Sequence, residues 1–196
     1  MVRTTTVAAW EWLDRPGLEL STLVCSPDRI SLEGQAVVAV DRYPVKVKYC
    51  FLLDAAWQFQ HADLECAFGQ ETARATLTRM QSHWIVNGLQ RPDLAPCEDI
   101  DFEGSPATNS LPIRRLQWES GQSRMLFMAF IRLPDLSVVP VTQRYTQMPP
   151  SRDRGIAWPS ECAIPWATVP SNRLRRTRRL AFNEGVVQWH DRPIAQ

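Results

Sequence analysis

The greatest density of groups able to do chemistry lies between Cys97 and Leu116, which reads CEDIDFEGSPATNSLPIRRL. If the first part of this stretch is extended, the alternation of side chains puts Asp99, Asp101 and Glu103 on one face and Ile100 and Phe102 on the other. Three neighbouring carboxylates repel one another, and a strand tolerates them when cations such as Arg114 or Arg115 lie opposite. One reading is an ion-pair network tying two strands together. A second is a polar ligand site in which a carboxylate, Asn109 and an arginine bridge sugar hydroxyls. A third is a glycosidase, in which one acid protonates a leaving oxygen and another acts as base or nucleophile. Such a pair normally faces across a cleft from separate elements, whereas these acids follow one another on a single segment.

Other catalytic templates are missing from the sequence. It contains no GxSxG elbow, no GxxxxGK[ST] loop, no GxGxxG fingerprint and no HExxH. The histidines are His61, His83 and His190, too few for a His-rich metal site, and the five cysteines form no CxxC. Arginines concentrate at Arg175, Arg176, Arg178 and Arg179. On a strand they fall on both faces, as at a solvated edge; Arg forks also suit anionic head groups. No aromatic-interleaved motif accompanies them, so nucleic acid is not expected. Trp10 and Trp12 share one strand face, and Trp57 lies two residues before Phe59. These aromatics are candidates to line an apolar cavity, because a curved sheet with no helix on its concave side leaves room for a ligand.

The elements that must position these groups read as strands. Val7 to Leu13, Leu20 to Cys25 and Ala36 to Tyr43 are short runs punctuated by Arg15-Pro16-Gly17, Ser26-Pro27-Asp28 and Tyr43-Pro44. Val45, Val47, Tyr49, Phe51 and Leu53 alternate with Lys46, Lys48 and Cys50, the period of a half-buried strand. Between Trp57 and Phe68 the apolar face switches, which predicts a bulge or a strong twist. Ala73 to Met80 and His83 to Val86 follow, with a tight turn expected at Asn87-Gly88. Ile113 to Trp118, Met125 to Leu133, Leu136 to Gln147, Glu161 to Val169 and Leu174 to Trp189 read as further strands. Turns fall at Glu119-Ser120-Gly121, Leu133-Pro134-Asp135 and Asn183-Glu184-Gly185. Gly104 to Pro112 is the irregular connection, with room for one helical turn capped by Ser105 ahead of Pro106. Many short antiparallel strands without a helical period argue for a large curved sheet, a sandwich or a barrel.

Composition bounds the remaining choices. With 196 residues the chain is expected to form a single domain over 1–196 with a core that needs no disulfide. A net charge of +1 excludes a generally basic nucleic-acid coat. Fifteen prolines and eight tryptophans against eight glycines suit β structure and leave no segment for a long helix. Glu11 and Asp14 interrupt any apolar leader, and no window of 18 apolar residues exists for a membrane span. A reduced, cytoplasmic protein is the expectation.

Residues 97–116 resemble the signature of the putative glycolipid-binding protein family, whose pattern reads close to C-x-D-[VI]-D-[LF]-x-x-[TS]-P-x-T-N-[TS]-L-P-[IV]-R-R-L. The resemblance extends to Trp10-Glu11-Trp12, Tyr49 with Asp54 and Trp57, Trp84 before Asn87-Gly88, Gln143-Arg144-Tyr145-Thr146 and Glu184-Gly185-Val186-Val187. It implies an all-β fold: a large curved antiparallel sheet forming a partly open β-barrel, similar to the lipoprotein carriers LolA and LolB, with few short helical turns. The signature positions carried over are Asp99, Asp101, Thr108, Asn109, Arg114 and Arg115, with Gln143 and Tyr145 as a second cluster. Ala107 stands where the family often has Phe, and the Arg175 to Arg179 cluster is more basic than the pattern.

The expectation is therefore a non-catalytic protein that holds a glycolipid or other amphipathic molecule, without cofactor or metal. Its acyl part would lie against Trp10, Trp12 and Trp57, and its head group against the signature residues. The rivals are an enzyme of glycolipid or carbohydrate metabolism using Asp99 or Asp101, and an interaction module whose signature is only an ion-pair and turn lock.

Overall fold

The computed structural model describes residues 3–12, 15–119, 121–148 and 186–190. The first half of the chain is an antiparallel meander of β1 (Thr4–Glu11), β2 (Gly17–Cys25), β3 (Arg29–Val40), β4 (Tyr43–Asp54), β5 (Phe59–Phe68), β6 (Glu71–Met80), β7 (His83–Val86) and β8 (Leu89–Gln90). These eight strands form one sheet in chain order, with β1 and β8 at its ends, so the sheet is open rather than closed into a barrel. Alternation drives it: Val45, Val47, Tyr49, Phe51 and Leu53 are buried while Lys46 and Lys48 are exposed.

The turns follow local chemistry. Asn87 and Gly88 both adopt positive φ (50° and 78°) in the two-residue loop between paired Val86 and Leu89, as the sequence predicts. The turn expected at Tyr43-Pro44 instead falls at Asp41-Arg42, also at positive φ (49° and 72°), and Pro44 pairs with Ala39 inside β4. The Ala39 N–H bonds to the Pro16 carbonyl, away from β4, so Pro44 faces the β5 side. There β5 ends at Phe68 opposite Val45, and a donor at residue 44 has nothing to reach. The predicted bulge is present: Leu52 pairs with His61 but Leu53 with Phe59, leaving Gln60 extra. The side-chain parity changes there, and both Phe59 and Ala62 become buried.

A second, four-stranded sheet has the order β12-β11-β10-β9, from β9 (Asp99–Phe102), β10 (Ser123–Ile131), β11 (Val138–Met148) and β12 (Val186–His190). The β9/β10 and β11/β12 pairs are parallel, so this smaller sheet is mixed, beside the large antiparallel sheet that the sequence predicts. Ile113 to Trp118 is not a strand. Residues Ser110–Arg115 form a short helix, α1, with Asn109 in the N-cap position, so the helical turn comes later than Ser105 and Pro106. Pro112 is tolerated because it lies in the first turn, whose N–H groups have no intrahelical partner. Leu111 and Ile113 are buried, and Arg114 and Arg115 close the last turn, where the helix dipole favours cations. The expected strand at Glu161 to Val169, the Asn183-Glu184-Gly185 turn and the Arg175 to Arg179 cluster lie outside the described residues.

The segment from Leu94 to Leu111 packs into the core formed by the inner face of the first sheet. Phe102 meets the ring of Trp12, just past β1, at 6.5 Å and that of Tyr49 on β4 at 5.7 Å. Strand backbones three apart in a flat sheet are about 14 Å distant, so two such neighbours on one ring mean that the sheet curves around it. From β7, Trp84 donates its Nε1–H to the Cys97 carbonyl at 3.2 Å. The four described cysteines, Cys25, Cys50, Cys66 and Cys97, are free thiols.

Candidate functional site

Strand β9 carries the acids of the signature, and all four of its residues are buried. Asp99 and Asp101 meet different partners. Asp99 Oδ2 accepts from Arg115 Nη2 at 2.6 Å, and the same nitrogen donates to Glu98 Oε2 at 2.8 Å. The ladder thus runs from the fully buried Asp99 through Arg115 (side chain 16% exposed) to Glu98 (55%) at the surface. Burial raises the Asp99 pKa, and the Arg115 guanidinium opposes that rise without cancelling it. Asp99 Oδ1 is shielded from solvent and accepts no hydrogen bond.

Asp101 is held by neutral donors alone. Its oxygens accept from Thr108 Oγ1 at 2.8 Å and Gln143 Nε2 at 2.5 Å. Burial without a cation lifts its pKa to about 6. Thr108 also accepts the Phe102 N–H, so the loop after β9 folds back onto the strand. From β11, the Tyr145 hydroxyl lies 2.9 Å from Asn109 Oδ1 and 3.2 Å from Gln143 Oε1, a shared donation that joins the two amides. Tyr145 is fully buried, and burial together with the charges of Asp101 and Asp99 holds its pKa far above the usual value. Asn109 Nδ2 is buried with no acceptor. The third acid, Glu103, turns away: it pairs with Arg15 at 3.2 Å and accepts the Leu133 N–H at 2.8 Å.

The structure therefore brings Asp99, Asp101, Thr108, Asn109, Arg115, Gln143 and Tyr145 into one region. Arg114 takes a different direction, with its guanidinium 5.6 Å above the ring of Trp57. Trp57 is half-buried at φ +63°, in a loop whose Ala56 and Gln58 N–H groups are held by Asp54 Oδ1. Trp10 and Trp12 lie apart from the acids of β9. Trp10 donates to Ser21 Oγ at 2.8 Å, and Trp12 packs edge-on against Phe102. Gly104, at φ +76°, passes beneath Trp12 so closely that a Cβ there would sit 2.3 Å from the indole.

Two ionisable residues on inward-facing rows escape sequence reasoning. Glu19 on β2 is 2% exposed and accepts from Tyr49 Oη, from Ser105 Oγ at 2.7 Å and from Trp12 Nε1 at 3.2 Å. Burial raises its pKa, against those three hydrogen bonds. Arg79 on β6 follows Ala75 and Leu77 on the inward row and is half-buried, with its guanidinium 5.8 Å over Trp84. The available signal is parity: both stand two residues from an inward apolar or small residue of their own strand.

Fold and site together define an all-β protein in which an open, curved antiparallel sheet and a mixed sheet enclose a buried network of carboxylates, amides and a phenol. The family model described as "Putative glycolipid-binding" matches residues 7–163, and the chain belongs to that family. A solved structure similar to this chain is the crystal structure of a DUF1089 family protein from Pseudomonas aeruginosa. It has 28% sequence identity and a TM-score of 0.60, covering 70% of this chain and 74% of the other. Among curated proteins, none matches this chain. No helix among the described residues is long and apolar enough to cross a membrane.

Proposed function

We propose that the protein is a non-catalytic binding protein for a glycolipid or similar amphipathic molecule. One observation carries this reading: the two polar clusters on β9 each leave a buried atom without a partner, the acceptor Asp99 Oδ1 beside Arg115 and the donor Asn109 Nδ2 beside Tyr145. Buried polar atoms left unmatched cost roughly 1–3 kcal/mol each. A sugar hydroxyl is one donor and two acceptors, so it complements that pair of atoms. The two aspartates do not offer a catalytic pair. Asp101 is fully engaged by Thr108 and Gln143, and Asp99 is tied to Arg115. Arg115 and Glu98 lie on the solvent side of Asp99 and form the entrance for the head group. The acyl part lies against apolar and aromatic side chains, among them Trp57, whose ring lies under Arg114 of the signature helix. Each methylene buried contributes about 0.8 kcal/mol before association costs.

The test is native mass spectrometry of protein purified without detergent, then incubated with a panel of glycolipids and with alkane-chain controls lacking hydroxyls. Retention of hydroxylated amphiphiles over the controls supports the reading. An unliganded mass after every incubation overturns it.

A further inference from the structure

Arg79 has no role in the network just described. It points inward from β6, opposite Trp84 on β7, on the row that Ala75 and Leu77 bury. Its Nε is shielded from solvent and has no hydrogen-bond partner, and among the described residues no carboxylate lies within ion-pair distance of it. A half-buried guanidinium offers five N–H donors in a planar fork, and a cation–π contact with Trp84 satisfies none of them. Trp84, beneath the Arg79 guanidinium, donates to the Cys97 carbonyl at 3.2 Å, one residue before Glu98 and two before Asp99, and this chain of contacts sets Arg79 beside that end of the site. Asp99 is already neutralised by Arg115 at 2.6 Å, and Glu98 is more than half exposed. The Arg79 fork thus lies near the Asp99–Arg115–Glu98 ladder without joining it. The second Arg115 contact, to Glu98, is an exposed pair worth little, and the Arg115 Nε is also unbonded.

We propose that Arg79 and Arg115 form an oxyanion subsite at the mouth of the polar site, which takes a phosphate, sulfate or carboxylate group on the bound amphiphile. The inference rests on the binding reading above and narrows it to anionic ligands. Trp84 is the floor of the subsite: its ring holds the Arg79 fork from one face and leaves the N–H edge free. Glu98 is the mobile counter-ion, displaced to water when the oxyanion arrives. Arginine suits this role better than lysine because the fork meets two oxygens at once.

The experiment titrates octyl phosphate, octyl glucoside and inorganic phosphate, all below micelle-forming concentrations, into the full chain and into Arg79→Met and Arg79→Lys, by calorimetry. The expected result is at least ~10-fold tighter binding of octyl phosphate than octyl glucoside by the wild type, the scale of one charge-assisted hydrogen bond. Arg79→Met loses this preference but keeps its octyl glucoside affinity, Arg79→Lys retains part of it, and salt weakens it. Binding of inorganic phosphate that is lost in Arg79→Met supports the subsite and identifies a free anion as an alternative source. Octyl glucoside bound as tightly as octyl phosphate overturns the subsite alone. Binding of neither amphiphile overturns the binding reading with it. If Arg79→Met fails to fold, the Arg79→Lys titration and the salt dependence decide, and a preference unmoved by both overturns the proposal.

Discussion

Two buried acids, Glu19 on β2 and Asp99 on β9, are handled in contrasting ways. Glu19 receives three donors from three separate parts of the chain, Trp12, Tyr49 and Ser105, and leaves no oxygen unmatched. Asp99 receives one cation and keeps an oxygen without a donor, and in the neighbouring Asp101 network Asn109 keeps an N–H pair without an acceptor. Both carboxylates are desolvated, and both have raised pKa values for that reason. The difference is completeness. A saturated buried acid is an internal fastener, here tying the loop at Ser105 to the concave face of the sheet. An unsaturated one carries a cost that a ligand can remove.

The contrast breaks most visibly if Glu19 is removed. Glu19→Ala strands the Tyr49 and Ser105 hydroxyls and the Trp12 N–H and leaves a cavity, so a loss of about 3–5 kcal/mol is expected in urea unfolding followed by circular dichroism. Glu19→Gln, which retains an acceptor, loses roughly 1–2 kcal/mol. Neither variant alters affinity in the fraction that folds.

A slightly smaller effect comes from pH. Asp101 has a folded pKa of about 6, above its unfolded value, so the folded state binds the proton more tightly. Its contribution to stability is fully present below the unfolded value of about 4 and is lost as pH rises through about 6, by up to ~3 kcal/mol. Glu19 and Asp99 shift in the same direction. Urea midpoints are therefore expected to be higher at pH 5 than at pH 7.5, and Asp101→Asn flattens that dependence. A midpoint that rises between pH 5 and 7.5 contradicts the assignment.

At the site, Asp99→Asn exchanges the unmatched acceptor for a donor while relieving a buried charge. Stability is expected to stay within about 1–2 kcal/mol of wild type, while affinity for a hydroxylated amphiphile falls about tenfold. The smallest effect belongs to Glu98→Gln at the exposed end of the ladder, below ~1 kcal/mol in thermal or urea unfolding.

Much of the architecture is legible from side-chain alternation and turn chemistry. The β4 pattern, the parity switch near Gln60 and the Asn87-Gly88 turn all follow from residue types alone. Ile113 to Trp118 was less readable, because Ile and Leu suit a strand as well as a helix, and the helix depends on burying Leu111 and Ile113 against the core. The signature residues were visible as a cluster, and Arg115 does meet Asp99 as charge pairing requires. Arg114 does not, because its guanidinium lies over Trp57. Glu19 is hidden because two of its three donors lie far away in the chain, Tyr49 at 30 residues and Ser105 at 86, and Arg79 because an arginine at the end of an alternating row reads equally well as a solvated residue.

The most direct test compares octyl glucoside binding by wild type, Glu19→Gln and Asp99→Asn in one calorimetric series, with melting temperatures recorded alongside. Wild-type affinity in Glu19→Gln with about tenfold weaker binding in a well-folded Asp99→Asn is the predicted outcome. Equal affinity in all three proteins, or a larger loss in Glu19→Gln than in Asp99→Asn, would contradict the division between fastener and site.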